Sequence, residues 1–228
     1  MTVLVTIFCI ALTCGAYGLS RLVGRRFPSP LTVPVFLSTP LVIFVLWITR
    51  IDLDGYAHAK SILGYFLGPA TVALAVPLYR NRQVLVDHAL PVVAGIVTGV
   101  AATMVGAIAC AKALGLGRGV QAALSIKSVT APVAIELAPK VHAQATVAAA
   151  FVIITGLVGS MIGPWLLTRF RVPYPIARGE ALGTISHGQG TAQALVESEL
   201  TGAAASIAMG VAAVATSLLA PVVVSALR

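Results

Sequence analysis

Long apolar runs separated by short polar segments fill most of the chain. A helix that crosses a bilayer needs about 20 apolar residues, and several runs approach or exceed that length. The pattern predicts an all-α, polytopic membrane protein with about six full transmembrane helices, in which residues 1–228 form a single integral membrane domain. The predicted spans are 2–19, 31–49, 61–79, 89–113, 143–168 and 203–226.

Two further apolar stretches are interrupted by charged or helix-breaking residues. Residues 119–139 hold a lysine, a proline and a glutamate, and residues 181–200 hold the hexapeptide SHGQGT at 186–191. Charge at bilayer depth is expensive and marks pathways, and broken backbone is tolerated there only against protein or a water-filled cavity. We therefore expect two broken or re-entrant elements that each supply half of a binding site. Plain kinks, repaired by neighbouring hydroxyl groups, are the alternative.

A weak internal repeat relates three segments of the chain. The segments that begin at Thr71, Pro132 and Thr191 can be laid over one another, at spacings of 61 (132 − 71) and 59 (191 − 132) residues. Discontinuous elements in matching positions point to a transporter site, although Ala-rich segments also match one another by chance. The predicted parts are a peripheral first span at 1–27 and repeat-like halves at 28–118 and 119–228.

Charged residues are few, and the basic ones lie at the ends of the apolar runs. They make up 10% of the chain, against roughly 25% in soluble domains. The net charge of +8 therefore indicates cytoplasmic membrane anchors and argues against nucleic acid as a partner. Basic clusters at 21–26, 80–82 and 169–178 are predicted to be cytoplasmic, which requires residues 119–139 to return to their own side. If both broken stretches cross instead, the third cluster lies outside.

Several enzyme classes lack the residues that they need. No Gly-x-x-x-x-Gly-Lys-[Ser/Thr] motif precedes Lys127, no Gly-x-Ser-x-Gly elbow surrounds Ser186, and no His-Glu-x-x-His sequence occurs. The three cysteines have no metal-binding spacing. The sequence therefore predicts a protein that is not an enzyme and has no catalytic residue, metal site or cofactor.

The breaks create helix starts that suit an anion. Pro132 is suited to a first helical position, where its missing N–H costs nothing, and Thr130 before it can cap the helix. Free N–H groups and the positive dipole end make such starts anion sites. The predicted substrate-binding residues are Lys127, Ser128, Thr130, Ser186, His187, Gly188, Gly190, Thr191 and Thr71.

The ionisable residues of the two broken stretches each have two interpretations. Lys127 can pair with a substrate carboxylate, or it can form a structural pair with Glu136 or Glu197, since buried charges are usually paired. His187 can donate to substrate or carry a proton near neutral pH, or it can be a packed, hydrogen-bonded histidine. Glu136, Glu197 and His187 are the predicted sites for a coupling ion or proton.

Three blocks of sequence resemble the LrgB/CidB family. They are GPATVALAVPLY at 68–79, KSVTAPVAIE at 127–136 and ALGTISHGQGTAQAL at 181–195, and the similarity extends from about residue 28 to the C-terminus. The familiar form of the last block has an apolar residue where this chain has Gln189, and often a lysine where it has Gln193. Two extra amides could alter the choice of substrate or only line a polar surface.

The resemblance implies two functions of different classes. Bacterial members are described as antiholin-like regulators of murein hydrolase activity and autolysis that work with a small LrgA/CidA-type membrane partner. The plant relative is the plastidial glycolate/glycerate translocator, and bacterial relatives are linked to pyruvate uptake. The broken, charged segments favour a secondary transporter, and the resemblance implies small 2-hydroxy or 2-oxo monocarboxylates as its substrates and the bacterial inner membrane as its location. The expected partners are a carboxylate anion, the lipid bilayer and a second copy of the chain. An autolysis modulator is the alternative.

Overall fold

Every secondary-structure element in the described part of the chain is helical. The computed structural model describes residues 2–27 and 29–226, and the side chains of residues 2, 30, 67 and 71 lie outside what it describes. Short 3-10 turns at Pro30–Thr32 and Ala138–Val141 accompany the α-helices. The helices are α1 Thr2–Arg26, α2 Pro34–Thr49, α3 Leu53–Tyr65, α4 Leu67–Ala73, α5 Ala75–Arg80, α6 Arg82–Asp87, α7 Ala89–Ala113, α8 Arg118–Ser125, α9 Ala131–Leu137, α10 Ala145–Arg169, α11 Pro175–Glu197 and α12 Glu199–Ala226.

Five helical stretches of the described residues are long and apolar enough to cross a membrane. A sixth apolar helix, α2, is shorter, with 16 residues. The protein is therefore an all-α, multi-pass membrane protein, and the predicted fold class is confirmed. The five stretches are Val3–Arg26, Leu53–Arg80, Ala89–Ala113, Ala145–Arg169 and Glu199–Ala226.

The first helix is longer than the sequence pattern predicted. The predicted span ended at residue 19, but α1 continues to Arg26, so the basic cluster of 21–26 lies on its last two turns. A helix C-terminus favours basic side chains because its carbonyl dipoles point toward them. The run of apolar residues therefore predicts the membrane-crossing part of α1 but not the position where the helix ends.

The chain forms two compact units, one that ends at Ala73 and one that begins at Leu74. In the first unit, α1 packs against α2 and α3, and Thr13 Oγ1 lies 3.0 Å from Tyr56 Oη in a hydrogen bond. The division into repeat-like halves stays a prediction.

In the second unit, α7 and α12 enclose much of the apolar core. The buried residues Ile96, Val100 and Met104 of α7 belong to the same cluster as Ala208 and Ala212 of α12. Small residues let membrane helices approach closely, because association there depends on packing and not on the exclusion of water. The helices of this unit hold the two broken elements in place.

Candidate functional site

The first broken element is a helical hairpin, formed by α8, an unwound turn and α9 with its 3-10 extension. A straight helix from Arg118 to His142 would be about 36 Å long, yet both residues line one cavity of about 380 Å³. The chain must therefore fold back between them, and it does so at residues 126–130, which are outside any helix. Residues 119–139 therefore fold back on themselves, and their return to their own side of the membrane stays a prediction.

The second broken element is α11, which also folds back on itself. Its backbone leaves the helical region at His187 (φ 42°, ψ −131°), which divides it into halves at 175–186 and 188–197. Arg178 and Glu197 are 19 residues apart, and Arg178 Nε lies 2.7 Å from Glu197 Oε2. In a continuous helix they would be about 28 Å apart. The two halves therefore lie side by side, with His187 at the turn.

The open end of each hairpin, where its two arms begin and end, is called its foot here: the first foot lies at Arg118 and His142, and the second at Arg178 and Glu197. The two feet lie at opposite ends of α12. The cavity at the first foot is also lined by Val224, near the end of α12. At the second foot, a Cβ added to Gly179 would meet the carbonyl oxygen of Thr201, near the start of α12. Since the 28 residues of α12 are about 42 Å long as a helix, the hairpins enter the second unit from opposite sides.

Helices α7 and α10 run in opposite directions, and each leads into one hairpin. Gly95, early in α7, faces Glu180 of the second hairpin, whereas Lys112, late in α7, lines the cavity at the first foot. Helix α10 begins beside the first foot and ends at the second, where Pro164 O accepts a hydrogen bond from Arg178 Nη2. Inverted helix-and-hairpin pairs with discontinuous segments are typical of secondary transporter sites.

Lys127 lies on the unwound turn of the first hairpin. It is half-buried, its ammonium donates to Ser128 Oγ at 3.2 Å, and no carboxylate of the described residues forms an ion pair with it. The flanking residues Ile126 and Val129 are almost fully buried and share an apolar cluster with Val152 of α10. The turn therefore places a cation in largely apolar surroundings.

His187 lies on the turn of the second hairpin, against α10. Its Nε2 lies 3.1 Å from Val152 O, about two turns from the start of α10, and a Cβ added to Gly156 would lie 2.6 Å from its Cε1. The imidazole is buried and fits only because position 156 has no side chain. Gln189 Oε1, two residues on, is buried and accepts no hydrogen bond from the described residues.

A match over most of the chain decides its family. A model of the LrgB-like family matches residues 13–226. The chain belongs to the LrgB-like family. The sequence-based resemblance to LrgB and CidB proteins is thereby confirmed.

Relatives of this LrgB-like protein match it over almost their whole length. The Holin-like protein CidB of Staphylococcus aureus (strain N315) is 35% identical over 215 residues, which is 94% of each chain. The proteins YxaC and YwbG of Bacillus subtilis (strain 168) are each 34% identical, over 220 residues (96% of each chain) and 214 residues (94% of this chain and 95% of the relative). No solved structure matches the chain.

The LrgB-like chain gathers the predicted residues of each block at its own turn. Ser128 is buried and Thr130 half-buried at the first turn, while Ser186, Gly190 and Thr191 are buried around the second. Gly188 is exposed. Thr71 lies on α4 of the other unit, and its side chain lies outside the described residues. That the two turns face one another across a shared site, and that these residues bind substrate, stay predictions.

Thr130 directly precedes α9, as predicted, and its backbone is extended, but the expected cap bond is absent. Its side chain accepts no hydrogen bond from the helix start. An N-cap oxygen bonds to the second or third N–H of the helix, and Pro132 occupies the second position, one later than predicted, where it has no N–H to donate. The Thr130 hydroxyl is therefore not committed to capping.

The predicted coupling carboxylates differ in their surroundings. Glu136 is exposed, whereas Glu197 is tied to Arg178, with side chains that are 19% and 14% exposed. The pairing of Lys127 with either of them, which the sequence left open, is not found. The sequence reasoning missed Glu180 because it began the second stretch at residue 181. The spacing of Gly179 and Gly183, which both pack against α12, is the helical signal that could have extended it.

Proposed function

We propose that this LrgB-like protein is a secondary transporter of small 2-hydroxy or 2-oxo monocarboxylates, such as glycolate, glycerate or pyruvate, in the bacterial inner membrane. One observation carries the proposal: two re-entrant hairpins enter from opposite sides, each with its turn unwound and one turn bearing Lys127. Broken backbone and a lysine without a carboxylate partner are costly in apolar surroundings. A bound anion offsets both costs, because it accepts from free N–H groups and pairs with the ammonium.

The polar groups at the two turns support a substrate with a single carboxylate. Lys127 supplies one full positive charge, and the hydroxyl groups of Ser128 and Thr130 lie on the same turn as additional donors. At the second turn, the unsatisfied Gln189 Oε1 can accept a hydrogen bond from a substrate hydroxyl. A 2-hydroxy acid carries both groups, an anion at one end and a donor beside it.

A second function is favoured by the name of a relative. The Holin-like protein CidB is 35% identical over 94% of this chain, and the words of that name support a holin-like or antiholin-like role more directly than they support transport. In this alternative, the protein modulates autolysis together with a small LrgA/CidA-type membrane partner. The two functions predict different behaviour of the protein in isolation.

Liposomes that contain only this protein separate the two functions. We expect saturable uptake of labelled glycolate or pyruvate, competed by the unlabelled acid, without release of a trapped fluorescent dye. Protein-free liposomes provide the background rate. Absence of uptake for both acids, combined with dye release or with lysis of cells only when a partner is present, would refute transport and support the second function.

Lys127 variants test whether the lysine belongs to the site. Lys127→Ala removes a half-buried cation, and we expect a loss of about 2–3 kcal/mol in binding, or roughly 30- to 150-fold in Kd for the anion. Lys127→Arg should restore part of the affinity, because the guanidinium keeps the charge but not the shape. Lys140→Ala, at an exposed position of the 3-10 turn, is the control. Recovery of transport in Lys127→Ala/Glu136→Ala would instead assign Lys127 to a structural pair.

A further inference from the structure

Glu180 is an ionisable side chain of the second hairpin that the proposed site does not use. It lies in the first half of α11, it is half-buried, and it forms no hydrogen bond or ion pair with any described residue. A Cβ added to Gly95 would overlap Glu180 Oε1 and would lie 3.0 Å from Glu180 Cδ. The carboxyl group therefore rests directly on α7, in space that exists because residue 95 is glycine.

The cations nearest to Glu180 are engaged elsewhere. Helices α5 and α6 share an apolar cluster with Ile176, one turn before Glu180; of their arginines, Arg80 pairs with Glu199, and exposed Arg82 lies over the Tyr79 ring and donates to Tyr79 O. Arg178 is bound to both oxygens of Glu197. On α7, the nearest titratable group along the helix is His88, at its N-cap, whose Nδ1 lies 2.8 Å from Val84 O. Helices α10 and α12 carry charged side chains only at their ends, at Arg169 and Glu199. A charged carboxylate in such a place is disfavoured, and a bound proton removes the cost.

A hydroxyl group lies on the same face of α11. Thr184 lies one turn after Glu180, its Cγ2 would be 3.7 Å from a Cβ at Gly99, and its Oγ1 is buried without a hydrogen-bond partner among the described residues. One carboxylate and one hydroxyl are too few ligands for a metal cation, which takes about six or more oxygens in the case of Mg²⁺ or Ca²⁺. A proton needs a single carboxylate.

Resting on the proposed transport function, we propose that Glu180 is the proton-binding residue that couples anion uptake to the proton gradient. The carboxylate takes up one proton from the side of higher proton concentration, the loaded carrier moves with one monocarboxylate, and the proton leaves on the other side. One proton and one monovalent anion together carry no net charge, so this cotransport is electroneutral. Gly95 is the positioning residue, because a side chain there would displace the carboxyl group.

Transport by the full-length protein in liposomes tests the coupling, with labelled glycolate as the probe. In the wild type, an inward gradient of about 2 pH units should drive accumulation of up to about 100-fold at one proton per anion, and an imposed membrane potential should not change it. Glu180→Gln should abolish accumulation, while exchange of internal for external glycolate at equal pH persists. Glu199→Gln, which alters an exposed pair with Arg80, should behave as the wild type.

The outcomes that overturn the proposal are distinct from those that overturn transport. Gradient-driven accumulation by Glu180→Gln refutes the role of Glu180. If folded Glu180→Gln loses exchange as well, Glu180→Asp must restore the gradient response with a displaced pH midpoint, and failure to do so also refutes it. Accumulation that needs sodium ions and ignores the pH gradient assigns the coupling to a metal cation.

Chemical labelling of Glu180 can be measured even if the protein transports no glycolate, so it tests proton binding separately. Hydrophobic carbodiimides add to a protonated carboxylic acid in an apolar site, where the carboxyl oxygen bonds to the central carbon and the acid proton passes to nitrogen. Mass spectrometry should find the adduct on Glu180 and not on exposed Glu199, with a labelled fraction that falls as the pH rises. Failure of wild-type transport refutes the proposed function, whereas absent or pH-independent labelling of Glu180 refutes proton binding.

Discussion

The ion pair between Arg178 and Glu197 is the strongest polar connection between the two halves of α11, and its removal should open the hairpin. Arg178 donates two hydrogen bonds to the carboxylate, Nε to Oε2 at 2.7 Å and Nη2 to Oε1 at 2.8 Å. It also donates to Val172 O at 3.0 Å and to Pro164 O at 3.2 Å. The guanidinium therefore ties both halves of α11 to the last turns of α10 and to the connection after it.

The size of the effect follows from the burial of the pair. Breaking a fully buried pair costs about 3–5 kcal/mol, and exposed pairs are worth about 0–1 kcal/mol. The side chains here are 14% and 19% exposed, so we expect about 2–3 kcal/mol for Glu197→Ala. The pair between Arg80 and Glu199, at 67% and 49% exposed, is a matched control, for which Glu199→Ala should cost less than about 1 kcal/mol.

Thermal unfolding in detergent measures the difference between these two variants. A loss of 2–3 kcal/mol lowers the Tm of a chain of this size by about 4–12 °C, and the control should shift by a few degrees at most. Hydrogen exchange should also quicken in residues 188–197 of Glu197→Ala. Equal Tm values for Glu197→Ala and Glu199→Ala, with unchanged exchange in the hairpin, would refute the idea that this pair closes it.

Three further predictions concern packing, the turn and orientation. Gly183→Ala should destabilise the protein by about 1–3 kcal/mol, because the new Cβ would overlap the carbonyl oxygen of Ala205 in α12 and lie 2.8 Å from its carbonyl carbon; Gly210→Ala, with open space around it, should not, and equal melting temperatures would contradict this. His187→Gly should be more stable than His187→Ala by about 1 kcal/mol, since the positive φ strains any residue with a Cβ; the reverse order in thermal melts would show that the turn relaxes. In a cysteine-free background, an impermeant thiol reagent applied outside should label Lys140→Cys and not Arg82→Cys, because the basic clusters of the second foot are predicted to be cytoplasmic; the opposite pattern would invert the orientation.

The amino-acid sequence by itself determined the class of protein and the places where its helices break. Apolar runs of span length, and the prolines and glycines within 119–139 and 181–200, are properties of neighbouring residues, so they can be read without knowledge of distant contacts. The spacing of Gly159 and Gly163, four residues apart on α10, is also a local pattern, and a Cβ at either position would meet an α11 side chain, Ser186 or Leu182. Helix ends were less accurate, since α1 extends past its apolar part to Arg26.

Only the tertiary structure decided how the broken segments are arranged. That α11 reverses at His187 depends on a backbone conformation and on a contact between residues 19 positions apart, which no local pattern specifies. The same holds for Glu197, whose sequence context permitted a coupling role but whose partner is Arg178, and for Glu180, whose significance comes from the missing side chain of Gly95 on another helix. Charge and hydrophobicity along the chain indicate which groups are costly to bury. The contacts that offset the cost of burial are made by residues that only folding brings together.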